Sequence, residues 1–345
     1  MSHFPRSNSL VGRVAACWAP ILMIVSVLSC ERKPNNTAVG TTGQAVGTTG
    51  EAVGTAGKET QKTFASPAEA GAALHDAAKS GDQEALTAMF GPEMTDVLFS
   101  GDPVKDKNAL RQFASAYETM NRWGKINGGG EMLYVGGENY PFPVPLLKTS
   151  SGRWYFDTAG GADEILARRI GRDELVAIAA TAALANAQQE YFTKAHAGGE
   201  VKQYAQKFAS DEGKQNGLYW SDSAGRTKSP LGQLGDFAKD AGYANAGGTP
   251  QPFNGYYFRI LTKQGNTAKG GAKDYIVDGK MTGGFAILAY PAEYQNSGIM
   301  TFLIGTDGVV YEKDLGPKTV ASAIAITEYN PGDGWKPVNR QRSGD

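Results

Sequence analysis

Cysteine is the first scarcity. The chain of 345 residues has two, Cys17 and Cys30, so everything after residue 30 has neither an internal disulfide nor a thiolate metal site. Histidine is nearly as rare: of three, His3 lies at the N-terminus, and His75 and His196 stand far apart, whereas a zinc site needs clustered ligands. Net charge is −1, with no dense Lys/Arg block. Phosphate backbones require concentrated positive charge, which argues against nucleic acid as a partner. No Gly-x-Ser-x-Gly elbow supplies an esterase nucleophile, and Gly128-Gly129-Gly130 lacks the Lys-Ser/Thr of a phosphate loop. Asp274 and Asp278 bracket a short apolar run, but two carboxylates without a ligand-rich loop read as solvated strand ends before they read as a calcium site. No metal and no cofactor is expected.

What is present begins with an address. Arg6 and Arg13 precede a mostly apolar run over residues 14–29, too short for a comfortable membrane span, and the run closes Val27-Leu28-Ser29-Cys30. This resembles a bacterial lipoprotein signal: residues 1–29 a signal peptide, Cys30 the lipid attachment site, Ser29 the small residue before it. Leu28 departs from the usual small residue there, and an ordinary cleaved signal or a short anchor helix is the competing reading. The resemblance implies a protein of the bacterial cell envelope, lipid-anchored, periplasm-facing or in the outer membrane. Its partners would be the membrane, through the lipid, and an envelope protein. Glu31 after Cys30 lacks the aspartate of the inner-membrane retention signal known for enterobacterial lipoproteins.

Residues 30–63 read as a tether. From Ala38 a seven-residue unit recurs as Ala-Val-Gly-Thr-Thr-Gly-Gln, then with Glu51 and Lys58 closing the second and third copies. Two glycines and one valine per unit cannot sustain a coiled coil, and so polar a composition buries no core.

The remainder predicts an α+β protein of two small domains, residues 64–161 and 162–335, with a disordered tail over 336–345. In the first, Ser66-Pro67-Ala68-Glu69 is a capping box for a helix ending at Gly81, Asp82 caps a second, and Asp106 is the expected cap of a third. Strands follow over residues 131–135, 143–148 and 153–157. Helices followed by a curved antiparallel sheet resemble the cone of nuclear-transport-factor-2-like (NTF2-like) domains, through Ser80-Gly81-Asp82-Gln83-Glu84-Ala85-Leu86 and Gly152-Arg153-Trp154-Tyr155-Phe156-Asp157. Such cones often hold a pocket, and Tyr117, Trp123, Trp154, Tyr155 and Asp157 are the candidates to line one. Aromatics at these spacings are also what a plain core uses.

The chain then turns on an alanine-rich helix over residues 163–197, with Asp163 as its cap and Gly198-Gly199 as its stop. Leu175, Ile178, Ala182, Ala185, Gln189 and Phe192, at steps of three and four, form the expected buried stripe. Strands are expected over residues 256–261, 275–277, 284–290, 299–304 and 309–313, with Gly305-Thr306-Asp307-Gly308 as a hairpin loop. A long helix packed on a short antiparallel sheet resembles the globular part of type IV pilin-like proteins, through Gly255-Tyr256-Tyr257-Phe258-Arg259-Ile260 and Asp307-Gly308-Val309-Val310-Tyr311. The very apolar N-terminal helix that polymerises pilins is missing before Asp163.

The folded part as a whole resembles an uncharacterised bacterial envelope family, the domain of unknown function 2950. Tyr140-Pro141-Phe142-Pro143-Val144-Pro145-Leu146, Trp154-Tyr155-Phe156-Asp157-Thr158-Ala159-Gly160-Gly161, Ile170-Gly171-Arg172-Asp173-Glu174-Leu175 and Val310-Tyr311-Glu312-Lys313-Asp314-Leu315-Gly316 carry that likeness. It brings no activity with it. With no catalytic constellation in view, the expected role is a lipid-anchored binding or assembly module. The alternatives are an envelope hydrolase or isomerase, or a small-ligand binder, using the first-domain pocket.

Overall fold

A computed structural model describes residues 61–194, 201–220, 228–232, 234–235, 238, 251–332 and 334–339. It is an α+β protein. Helix α1 (Pro67–Ser80) begins as its sequence requires: Ser66 Oγ accepts from the Glu69 amide, and Gly81, at φ 71°, supplies the left-handed turn that ends it. Asp82 caps α2 (Gln83–Phe90) through the Ala85 amide. A short α3 (Thr95–Leu98) precedes α4 (Pro103–Thr119). Asp102, not Asp106, caps α4, its carboxylate accepting from the Val104 and Lys105 amides. Asp106 is turned back onto the Ser100 amide and hydroxyl.

The first sheet holds β1 (Asn121–Lys125), β2 (Glu131–Val135), β3 (Tyr140–Pro141), β4 (Leu146–Lys148) and β5 (Trp154–Phe156), ordered β1-β2-β4-β5 with β3 beside β2. The unexpected member is β1, whose Asn-Arg-Trp-Gly-Lys has no alternation to announce it; it exists because it pairs with all five residues of β2. Phe64, Phe90, Phe142 and Phe156 meet in the core beneath, with Phe90 and Phe156 ring centroids 4.9 Å apart.

Helix α5 (Thr158–Thr193) starts five residues before the expected Asp163. Asp157 sits at its start, and the helix runs through Gly160-Gly161 because that turn presses on the chain: a Cβ on Gly161 would stand 2.8 Å from the Pro143 carbonyl oxygen. The expected stop at Gly198-Gly199 and His196 lie outside the described residues. At 36 residues and 1.5 Å rise, α5 is about 54 Å long. Its buried face keeps Ala185 and the core-packed Ile178 of the expected stripe but leaves Leu175 and Gln189 exposed. It runs through Arg169, Asp173, Ala177, Ala180, Thr181, Leu184, Gln188 and Tyr191, whereas Leu175 is 41% exposed. The polar members are held by specific partners. Gln188, for example, bonds both the amide and the carbonyl of Ala205 at 2.8 Å.

The second main sheet is ordered β14-β13-β12-β11-β6, antiparallel throughout: β6 (Tyr256–Leu261), β11 (Ala286–Pro291), β12 (Met300–Gly305), β13 (Val310–Asp314) and β14 (Lys336–Pro337). Two small ribbons, β7 (Lys263–Gln264) with β8 (Lys273–Asp274) and β9 (Ile276–Val277) with β10 (Lys280–Met281), hang from it. Strand β11 is buried at all six positions and β12 at five of six. The half-buried alternation expected for β12 gives way to burial on both faces. Tyr256 and Phe302 pack on one face, and on the other Arg259 donates to the last carbonyls of α6 (Thr319–Ala325).

Candidate functional site

The first-domain candidates are placed as follows. Tyr117 on α4 stacks on His75, centroids 5.1 Å apart, and its hydroxyl and the Trp123 ring both close over Gly71, where an added Cβ would meet them at 3.0 and 3.2 Å. Burial, with Asp76 nearby, raises the Tyr117 pKa. His75 is bracketed by Asp76 at 3.0 Å and Glu118 at 3.1 Å. On β5, Trp154 and Tyr155 are buried at 8% and 7% exposure. Asp157 begins α5 without a side-chain capping bond. Tyr117 and Trp123 are thus brought together. The open depression nearby is lined by Gln83, Glu84, Thr87, Ala88, Pro92, Thr95 and Phe99, and none of the five expected residues is among them. Asp274 pairs with Lys263 at 3.4 Å, and among the described residues no three His, Cys, Asp or Glu side chains stand close enough to hold a metal ion. Cys30 lies outside the described residues.

The densest chemistry is elsewhere, where α4, α5 and the loops around residues 255 and 295 converge. Lys105 of α4 donates to Asp173 of α5, the two side chains 8% and 1% exposed. Burial outweighs attraction for both partners: it pushes the Asp173 carboxyl up to about 6, against the pull of Lys105, and lowers the Lys105 ammonium. One turn earlier, Arg169 donates to the carbonyls of Val97, Leu98 and Phe99, which end α3, and to Asn296 Oδ1. Asn296 in turn donates to Glu293 at 2.6 Å. Glu174 accepts from the Ile299 and Met300 amides, both at 2.9 Å, while the Tyr256 hydroxyl donates to the Met300 carbonyl at 2.9 Å. The second carboxylate oxygen of Asp102 faces the Gly255 amide at 3.4 Å. Gly255 has φ 78°, and a Cβ there would meet Ser297 at 2.8 Å and Asp173 at 3.1 Å, so only glycine lets the strand start this close to the ion pair.

Arg169, Asp173 and Glu174 therefore point one helix at both halves of the body. The arrangement clamps. Each charged group already faces a partner, and burial keeps solvent from the pair. Sequence reasoning passed over Lys105, Arg169 and Asp173 as site residues. The available signal was charge at i and i+4 on a helix face that continues as Ala177, Leu184 and Tyr191.

The class defined by these observations is an α+β protein with two antiparallel sheets threaded on one helix and fastened by a buried ionic junction. The chain belongs to the family described as a protein of unknown function, DUF2950, whose model matches residues 61–338, a span that opens where the described body opens. No curated protein and no solved structure matches the chain. No match supports the likenesses to NTF2-like and pilin-like folds. No helix among the described residues is long and apolar enough to cross a membrane.

Proposed function

We propose that the protein is a lipid-anchored component of the bacterial envelope that works by binding, holding a partner at a distance from the membrane set by its tether. The observation carrying this reading is the placement of cysteine: Cys30 closes the apolar run, and no cysteine follows in the rest of the chain. A diacylated cysteine with an amide-linked acyl chain anchors stably, since each buried methylene contributes roughly 0.8 kcal/mol. The buried junction favours binding over catalysis. Its acids and cations hold the two halves in register, and a catalytic pair needs one member open to substrate.

Cross-linking in intact host cells, with Cys30→Ala as control, tests this. Capture of one abundant envelope protein by the wild type and its loss in the variant is the expected result. Turnover of a substrate by the purified chain, undiminished in cells by Cys30→Ala, would overturn it.

A further inference from the structure

The junction between tether and body is built, and three basic side chains stand at it beside one carboxylate, Glu69, which accepts from the Ala65 amide at 2.7 Å. Gln61 donates to the carbonyls of Met89 at 2.6 Å and Phe156 at 2.7 Å, and the Lys62 amide donates to the Ala88 carbonyl at 2.8 Å. Phe64 then bridges to Trp154, exchanging both backbone hydrogen bonds at 2.8 Å, so the incoming chain extends the β5 edge of the first sheet. Its point of entry is fixed.

Three exposed cations surround that point. Lys62 lies over the Phe64 ring, 5.6 Å from its centroid. Lys148, the register partner of Trp154 on β4, lies 4.7 Å from the Trp154 centroid. Arg153 grips the entering strand through the Thr63 hydroxyl and carbonyl, both at 2.7 Å. Among the described residues none of the three has a carboxylate within ion-pair distance, whereas Lys79, Lys105, Lys207 and Lys263 each do. The two rings hold the ammonium groups of Lys62 and Lys148 by cation–π attraction, with both lysines still exposed.

We infer that this rim, Lys62, Lys148 and Arg153, docks the body onto the anionic headgroups of the membrane that holds the tether. The inference rests on the anchoring proposed above. Thirty residues rich in Gly and Thr separate Cys30 from Gln61 in the sequence. The rim is where that spacer meets the body, so it meets the bilayer at high effective concentration. A basic side chain close to an anionic leaflet strengthens association about fivefold, so three act on the order of a hundredfold together, an effect that salt removes.

The test is lysine acetylation read by mass spectrometry. The lipidated chain is reconstituted into vesicles of phosphatidylcholine alone or with about one third phosphatidylglycerol. Labelling of Lys62 and Lys148 should fall several-fold on the anionic vesicles and recover in about 0.5 M salt, where the Debye length is about 4 Å against about 8 Å at 0.15 M. Labelling of Lys107 and Lys269, exposed elsewhere, should not change. Arg153→Glu should weaken the protection of both rim lysines. Equal labelling on the two vesicle types would overturn the inference. The mass of the Cys30 peptide reads the anchor separately. If it carries no lipid, the anchoring proposal fails, and the same chain mixed with vesicles still decides the rim: protection that needs phosphatidylglycerol keeps it, and none removes it.

Discussion

At the scale of single residues, the protein is held by pairs that only make sense together. Asp173 is 1% exposed and its carboxyl is raised to about 6 by burial, with Lys105, Arg172 and Arg169 pulling the other way. A carboxyl whose folded pKa is raised contributes stability that is present below its unfolded pKa and lost as pH rises through the folded value. Lys105→Met removes the principal counter-charge and should cost about 3–5 kcal/mol at pH 7.5, measured by urea unfolding. Because the remaining carboxylate can escape its penalty by protonation, the variant should regain stability as pH falls towards 6. Lys105→Met with Asp173→Leu should return close to wild type and lose that pH dependence. A Lys105→Met variant that behaves like wild type at every pH would show that the pair is not buried as described. Gly255 gives a second test. With φ 78° and Ser297 2.8 Å from an added Cβ, Gly255→Ala should cost more than about 1 kcal/mol in the same assay, although it adds only one methyl group.

At the scale of elements, caps and turns were readable in the sequence and the orientation of α5 was not. The Ser66 and Asp82 caps, the Gly81 stop, and the strands at residues 131–135 and 256–261 each follow from residues a few positions apart, and local chemistry sets them. Strand β1 was missed because its pairing partner, rather than its own pattern, makes it a strand. The face of α5 was misjudged because hydrophobicity alone cannot distinguish a buried Gln188 bonded to Ala205 from an exposed one. Of the junction, only the α5 side was legible, through Arg169 and Asp173 at i and i+4; Lys105 lies 68 residues from Asp173, and nothing in that spacing says that they meet. The corrected face makes a sharp prediction. Leu175→Glu, at 41% exposure, should change stability by no more than about 0.5 kcal/mol. Ala177→Glu, at 1% exposure, should destabilise by several kcal/mol, through overpacking and an unpaired buried charge, in thermal melts of the two proteins. Comparable losses in both would restore the stripe through Leu175.

At the scale of the whole molecule, the described body has two main antiparallel sheets that share α5. Because Arg169 and Glu174 reach both halves, the body should unfold as one. Fluorescence of Trp123 and Trp154 in the first half and of Trp220 and Trp335 in the second should report the same urea midpoint, and two separated midpoints would mean the junction does not couple them. The functional account depends on where the body is kept. The most direct measurement is the mass of the N-terminal peptide of the protein extracted from host membranes. The account predicts a chain beginning at Cys30, with a thioether-linked diacylglycerol and the corresponding loss of residues 1–29. A free thiol at Cys30, or a chain cleaved elsewhere, would contradict it.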